Sequence, residues 1–286
     1  MSGQKQVPAQ MRQRLRTFNR RLALAAAGAL SSVFALRSLQ RHSPGGDRVW
    51  TRVNHRGEAV SLLSGPALTL SSALTSAIGA PTGARRDAAI LTLVTGAVGV
   101  YDDIVGAGPQ QGADKGFKGH LRALRQGRIT TGLVKIAGVG AAGIWAARSI
   151  TDHPLDRLIA GGVIAGTANL VNLLDLRPGR ALKFAIATGV LTSGGPAGGV
   201  VAGPIGAASG LISTDLAEHT MLGDGGANAI GAILGMRLAM QGGPLRRAAV
   251  LTVLSVLTLA SEKVSFTQVI ESTPVLREMD AFGRRR

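Results

Sequence analysis

Four stretches of this sequence carry residue types that could handle a phosphate and a cation. The adjacent carboxylates Asp102 and Asp103 stand in "VGVYDDIVGAG", at the end of an apolar run. Like charges so close resist joint ionisation unless a cation or a proton intervenes. A hard, oxygen-seeking ion such as Mg²⁺ would relieve them; a solvated acidic helix end is the plainer alternative. "TANLVNLLDLRPGR" sets Asn169, Asn172 and Asp175 three residues apart, on one face of a helix. Amides and a carboxylate in such an apolar segment either tie helices together or mark a site. "MLGDGGANAIGAILG" places Asp224 before two glycines and a helix, where backbone N–H groups can receive phosphate. Asp224 could equally be a simple helix cap. "ADKGFKGHLRALRQGR" supplies Lys115, Lys118 and Arg122 to phosphates or lipid headgroups, and Lys135 is a lone charge inside an apolar run.

The elements that must position these residues are apolar. Of 286 residues, 45% are hydrophobic, 17% charged and 3% aromatic, and mean hydropathy is +0.24. A soluble chain carries about 25% charged residues. The 40 glycines suit helices whose backbones approach closely in a membrane. Apolar runs lie near 22–36, 59–80, 88–101, 129–147, 158–174, 181–193, 196–213, 225–240 and 248–260. They predict an all-α, polytopic membrane helix bundle of about nine (eight to ten) transmembrane helices. The expected organisation is a basic N-terminal segment at 1–21, a membrane domain at 22–260 and a basic tail at 261–286. No cysteine is present, which excludes disulfides and thiolate metal sites.

The net charge of +16 suits nucleic acid in principle. Its cations, however, sit in the connections between apolar runs, so no nucleic-acid partner is expected. If runs two to nine each cross once, loops 37–58, 102–128, 175–183 and 214–224 share a face with the tail and hold 18 Lys and Arg. The opposite loops 81–87, 148–157 and 241–247 hold 6. Excess cations mark the cytoplasmic side, and every stretch quoted above falls on it. Six further cations within 1–21 would lie outside if run one crosses; a surface helix or a re-entrant hairpin are the alternatives.

Taken in order, "YDDIVG", "KGFKGHLRAL…TTGLVKI", "NLVNLLD" and "MLGDGGANAIGAILG" resemble the motifs of the polyprenyl-phosphate N-acetylhexosamine-1-phosphate transferase superfamily. That group includes the phospho-MurNAc-pentapeptide translocase of peptidoglycan synthesis and the GlcNAc-1-phosphate transferases. The resemblance covers about residues 50–240. It implies a multi-pass cell-membrane protein with its active site on the cytoplasmic face, serving cell-wall glycan synthesis. It also implies transfer of a sugar-1-phosphate from a UDP-sugar to a polyprenyl phosphate, with Mg²⁺ as cofactor and UMP as product. Carried over by motif, Asp102 would activate or orient the lipid phosphate with Asp103 beside it. Asp175 would act at the nucleotide end with Asn169 and Asn172. Lys118 and Lys135 would face phosphates, and Asp224 would be the principal metal ligand. Asn54, in "WTRVNHRGEAV" with Arg52, His55 and Arg56, would contact a diphosphate; Arg177 and Arg180 would either grip a phosphate or anchor the chain at the membrane surface. A homodimer is the assembly allowed for.

The sequence departs from the family pattern at several points. "DLRPGR" follows Asn172, and Pro178 stands where a second aspartate is usual. Ala227 replaces a serine, Thr214 stands for an asparagine, and "QGGPLRR" is too short for a sugar-binding insert. These departures support an alternative: a catalytically degenerate relative that binds lipid phosphate or nucleotide sugar, or serves as a scaffold. A small transporter ranks last, because no paired repeat is visible.

Overall fold

The computed structural model describes residues 8–54, 56–106 and 116–285. It is mostly helical. Nine helices among the described residues have at least 13 residues: α1 (Ala9–His42), α3 (Ser64–Gly79), α4 (Arg85–Val105), α6 (Thr131–Ala146), α7 (Pro154–Leu174), α8 (Arg180–Thr192), α9 (Gly199–Leu216), α10 (Gly223–Met240) and α11 (Pro244–Ser261). Shorter helices are α2 (Asp47–Trp50), α5 (Gly116–Arg125), α12 (Phe266–Ser272) and α13 (Pro274–Ala281). A two-stranded antiparallel hairpin, β1 (Thr51–Val53) with β2 (Ala59–Ser61), departs from the all-α expectation. The Asn54 side-chain oxygen closes its turn by accepting the N–H groups of Arg56 and Glu58, each at 2.9 Å.

Helix α10 is the centre of the bundle. It packs on α3, α4 and α7, and nearly all its residues are buried. Its small side chains let the neighbours come close: a Cβ at Gly231 would lie 2.6 Å from the Cα of Ala168 in α7. Around this core, α1 packs on α9 and α3, α6 on α4 and α7, and α11 on the outer side of α7. Pro154 and Pro244 occupy the first turns of α7 and α11, where the missing N–H costs nothing.

Among the described residues, five helical segments are long and apolar enough to cross a membrane: Ala9–His42, Thr82–Val105, Pro154–Leu174, Pro196–Leu216 and Pro244–Ser261. Helices α3 and α6, with 16 residues each, and α8, with 13, fall short of the roughly 20 that a bilayer asks for. Large apolar side chains such as Leu30, Phe34, Leu191, Val256 and Leu259 stay exposed on the outer faces, as lipid contact would require. These features are compatible with a membrane protein.

The two ends of the bundle differ in chemistry. At one end arginines, of which Arg237 and Arg247 are buried, hold the helix ends together. Arg237 donates to the carbonyls of Thr192 and Gly194 at 2.6 Å each. Arg148 pairs with Asp87 at 2.8 Å, and Arg247 with Asp156. Carboxylates gather at the other end. Helix α1 starts at the arginine end, where Arg20 donates to the carbonyl of Ile78 at 2.9 Å. Residues 9–21 run into run one as a single helix, so run one is not a re-entrant hairpin. Within residues 266–281 lie two helices, α12 and α13, which Arg180 of α8 ties to the bundle through Thr267 and Asp280.

Candidate functional site

Three helices deliver the central side chains. Asp102 and Asp103 lie in the last turn of α4, Asp224 in the first turn of α10 and Lys135 in the second turn of α6. Gly99 lets α4 and α10 meet: a Cβ there would fall 2.2 Å from the carbonyl oxygen of Asp224. The Lys135 ammonium donates to Asp102 Oδ2 at 2.7 Å and also to Asp224 Oδ2. One cation thus bridges two carboxylates that are far apart in sequence.

Asp103 has a different job from its neighbour. Its Oδ1 accepts the N–H of Asp224 at 3.0 Å, and its Oδ2 accepts the N–H of Gly225 at 2.9 Å. A carboxylate at a helix N-terminus satisfies orphan donors and meets the positive end of the helix dipole. The two N–H groups that the sequence offered to phosphate are therefore occupied by Asp103. In the structure Asp103 is a long-range cap that fixes the start of α10, and hence the position of Asp224.

Beside this cluster is a cavity of about 200 Å³, lined by Asn54, Asp175, Arg177, Asp215, Glu218 and Thr220 among others. Asp175 is the C-cap of α7. It is largely buried, and the Gly223 N–H reaches its carboxyl. Burial, followed by the like charges of Asp215, Asp224 and Asp103, pushes this carboxyl well above its ordinary range. Asp215, in the last turn of α9, accepts the N–H of Gly179 at 2.5 Å. Glu218 adopts a φ of 60°, a left-handed backbone that non-glycine residues rarely take. Its carboxylate receives Asn54 Nδ2 at 2.6 Å and Arg56 Nε at 3.2 Å. Asn54 thus holds the hairpin and orients a cavity acid.

"RPGR" is held by the C-terminal helices. Gly179 turns the chain into α8 with a φ of 73°, a conformation that glycine accepts freely. The Arg180 guanidinium grips Asp280 with two bonds, at 2.8 and 2.9 Å, and also donates to Thr267 at 3.0 Å. Arg284 bonds Asp280 at 2.6 Å and the carbonyl of Pro178 at 3.0 Å. Arg285 pairs with Glu58 of the hairpin at 3.2 Å, and Arg177 pairs with Glu271 at 3.5 Å. Burial raises the Asp280 carboxyl, but the bonds and charges of Arg180 and Arg284 outweigh it and hold the group below its usual range. The tail is a clamp on the α7–α8 turn and on the cavity rim.

The structure brings Asp102, Asp103, Lys135 and Asp224 together, and sets Asp175, Arg177 and Asn54 on the adjoining cavity. It does not bring Asn169 there: that amide donates to Thr258 of α11 at 3.1 Å, which is the helix-tying alternative. Asn172 is half-buried and does not line the cavity. Lys118 falls within α5, but its side chain lies outside the described residues, as do Lys115 and His55. Sequence reasoning missed Glu218; its only signal was an acid in "DLAEHT", just ahead of the Asp224 motif. Among the described residues, no three His, Cys, Asp or Glu side chains form a ready-made metal cage. No family model matches the chain and no curated protein matches it, so the site stands on its own geometry.

Proposed function

We propose that this chain is an integral membrane transferase that moves a sugar-1-phosphate from a UDP-sugar to a polyprenyl phosphate and releases UMP. The observation that supports it best is the meeting of Asp102, Lys135 and Asp224 at one end of the bundle. They come from three of the four stretches that resemble the transferase motifs. In this reading all nine long helices cross the bilayer, and the carboxylate end faces the cytoplasm. The cation count supports that orientation, although Lys5, Arg12, Arg14, Arg16, Arg20 and Arg21 raise the opposite side from 6 to 12 against 18.

The donor set suits Mg²⁺. Asp102 and Asp224 offer hard oxygens, and the pair already embraces a cation in the form of the Lys135 ammonium. Mg²⁺ held there would supply positive charge against the transferring phosphate. The chain's own residues do the rest. Asp103 fixes the first turn of α10, so that Asp224 cannot drift. Lys135 meets a phosphate oxygen. Asp102 orients the polyprenyl phosphate for in-line attack. Asp175, Arg177 and Asn54 hold the nucleotide end in the cavity. The two substrates would then be brought close in a site partly screened from water, where fixed charges act strongly.

The test is incubation of purified protein with labelled UDP-GlcNAc or UDP-MurNAc-pentapeptide, polyprenyl phosphate and Mg²⁺. Metal-dependent UMP release is the expected result, and its absence with every UDP-sugar would sink the proposal.

A second reading is a binder without turnover. Two features favour it. Pro178 faces the cavity where a further carboxylate would serve chemistry, and only Gln241–Gly243 join α10 to α11, which leaves no insert to recognise a sugar. Binding of the same UDP-sugar without UMP release would select this reading.

A further inference from the structure

We infer that Lys135 is the resident counter-ion of the Asp102–Asp224 pair, and that a divalent cation and the lysine ammonium exchange places. When the metal enters, the ammonium leaves the carboxylates and moves to the incoming phosphate. This inference rests on the metal reading given above.

Charge and space carry the argument. The Lys135 ammonium contacts one oxygen of each carboxylate, so it lies where a bridging cation would lie. The Asp103 carboxylate is held apart by the N–H groups of Asp224 and Gly225; of the groups that touch the cation, two carboxylates and one ammonium leave a single negative charge. Two carboxylates and one divalent ion leave none, and an ammonium kept beside them would be a like charge in a half-buried site. Such crowding is unfavourable because the local dielectric is low. The lysine is well built to move: its ammonium sits on a flexible four-carbon stem, and its side chain is 20% exposed. The exchange makes and breaks no covalent bond, and the proton stays on nitrogen. Lys135 would therefore serve twice. It keeps α4, α6 and α10 together in the empty protein, and it meets phosphate only when the metal has taken its place. The order of loading follows from this, with metal before or together with the nucleotide diphosphate.

Mn²⁺ serves as the probe, on full-length protein in detergent. Free Mn²⁺ measured by electron paramagnetic resonance reports binding to wild type, Lys135→Met and Asp224→Asn. Removing the internal competitor should tighten Mn²⁺ binding in Lys135→Met by about tenfold or more, since a tenfold change is about 1.4 kcal/mol, less than one charge-assisted hydrogen bond is worth. In wild type, saturating Mn²⁺ should raise the rate of reductive methylation at Lys135 several-fold, as read by mass spectrometry. That measurement stands alone if Lys135→Met does not fold. Equal or weaker Mn²⁺ binding in a folded Lys135→Met, or a methylation rate that does not rise, overturns the exchange. Asp224→Asn separates this from the function itself. If that variant binds Mn²⁺ as wild type does, the metal lies elsewhere and the transferase reading falls. If it loses Mn²⁺ while Lys135→Met gains nothing, only the exchange falls.

Discussion

Replacing Asp103 by asparagine tests whether this residue is structural or chemical. The wild-type carboxylate accepts two backbone N–H groups, from Asp224 at 3.0 Å and Gly225 at 2.9 Å. Asparagine keeps one acceptor oxygen and turns an NH₂ donor toward the other N–H. One hydrogen bond to a charged group is lost, worth about 1.5–3 kcal/mol. The interaction with the helix terminus is lost as well, worth about 0.3–1 kcal/mol. Relief of repulsion with Asp102 and Asp224, and of the desolvation of a buried charge, works the other way. The net expectation is a loss of about 2 kcal/mol, from which an apparent Tm lower by about 5 °C follows. Thermal unfolding in detergent micelles reads it directly. Asp102→Asn is the control: it removes an ion pair with a partly exposed lysine and should cost clearly less stability. UMP release should fall in both variants, but for Asp103→Asn the fall should track the loss of structure around Asp224. An Asp103→Asn protein with wild-type Tm and no turnover would refute the cap and return Asp103 to the chemistry.

Other outcomes follow from the same structure. Asp224→Asn should abolish metal-dependent activity, by roughly a hundredfold or more, because a charge clamp on the transition state is gone; Asp215→Asn should reduce activity less and lower Tm, because it loosens the bond to Gly179, and calorimetry with UMP assays separates the two. Arg180→Ala should destabilise by about 2–3 kcal/mol, since it strips two hydrogen bonds from the buried Asp280 carboxylate; limited proteolysis should then cut within 262–285 first. The Asp280 carboxyl titrates below its ordinary value in the folded chain, so its stabilisation is present above that ordinary value and is lost as pH falls through the folded one; Tm measured from about pH 5 down to about pH 2 should fall less steeply in Asp280→Asn. Asp175 has the opposite sign: its raised value means that the folded chain holds the proton more tightly than the unfolded one, so stability drops as pH climbs. Asp175→Asn should therefore be the more stable protein at alkaline pH, and a Tm equal to wild type across the range would count against that.

Much of the architecture is legible in the sequence alone, because hydropathy and charge are local properties. Apart from α1, which begins 13 residues ahead of run one, the apolar runs mark the long helices to within about five residues, and the glycines of "GDGGANAIGAILG" announce a helix that others approach closely. The presence of carboxylates, amides and Lys135 at the ends of apolar runs announces a polar site at one face. What local pattern cannot contain is the choice of partner. Asp102 and Asp103 are adjacent and chemically identical, yet one meets Lys135 and the other caps a helix 121 residues away. Asn169 and Asp175 share a helical face by spacing, yet the first turns to Thr258 and the second to a cavity, because α7 packs on α11 along one part and ends beside α10 at the other. The tail reads from sequence only as a basic segment, yet Asp280 and Arg284 hold Arg180 and Pro178 from about a hundred residues away. Residue type and periodicity settle which elements form and which face of each avoids water. Only the packing of those elements decides which donor finds which acceptor, because each buried polar group must be satisfied by whatever the fold brings within reach.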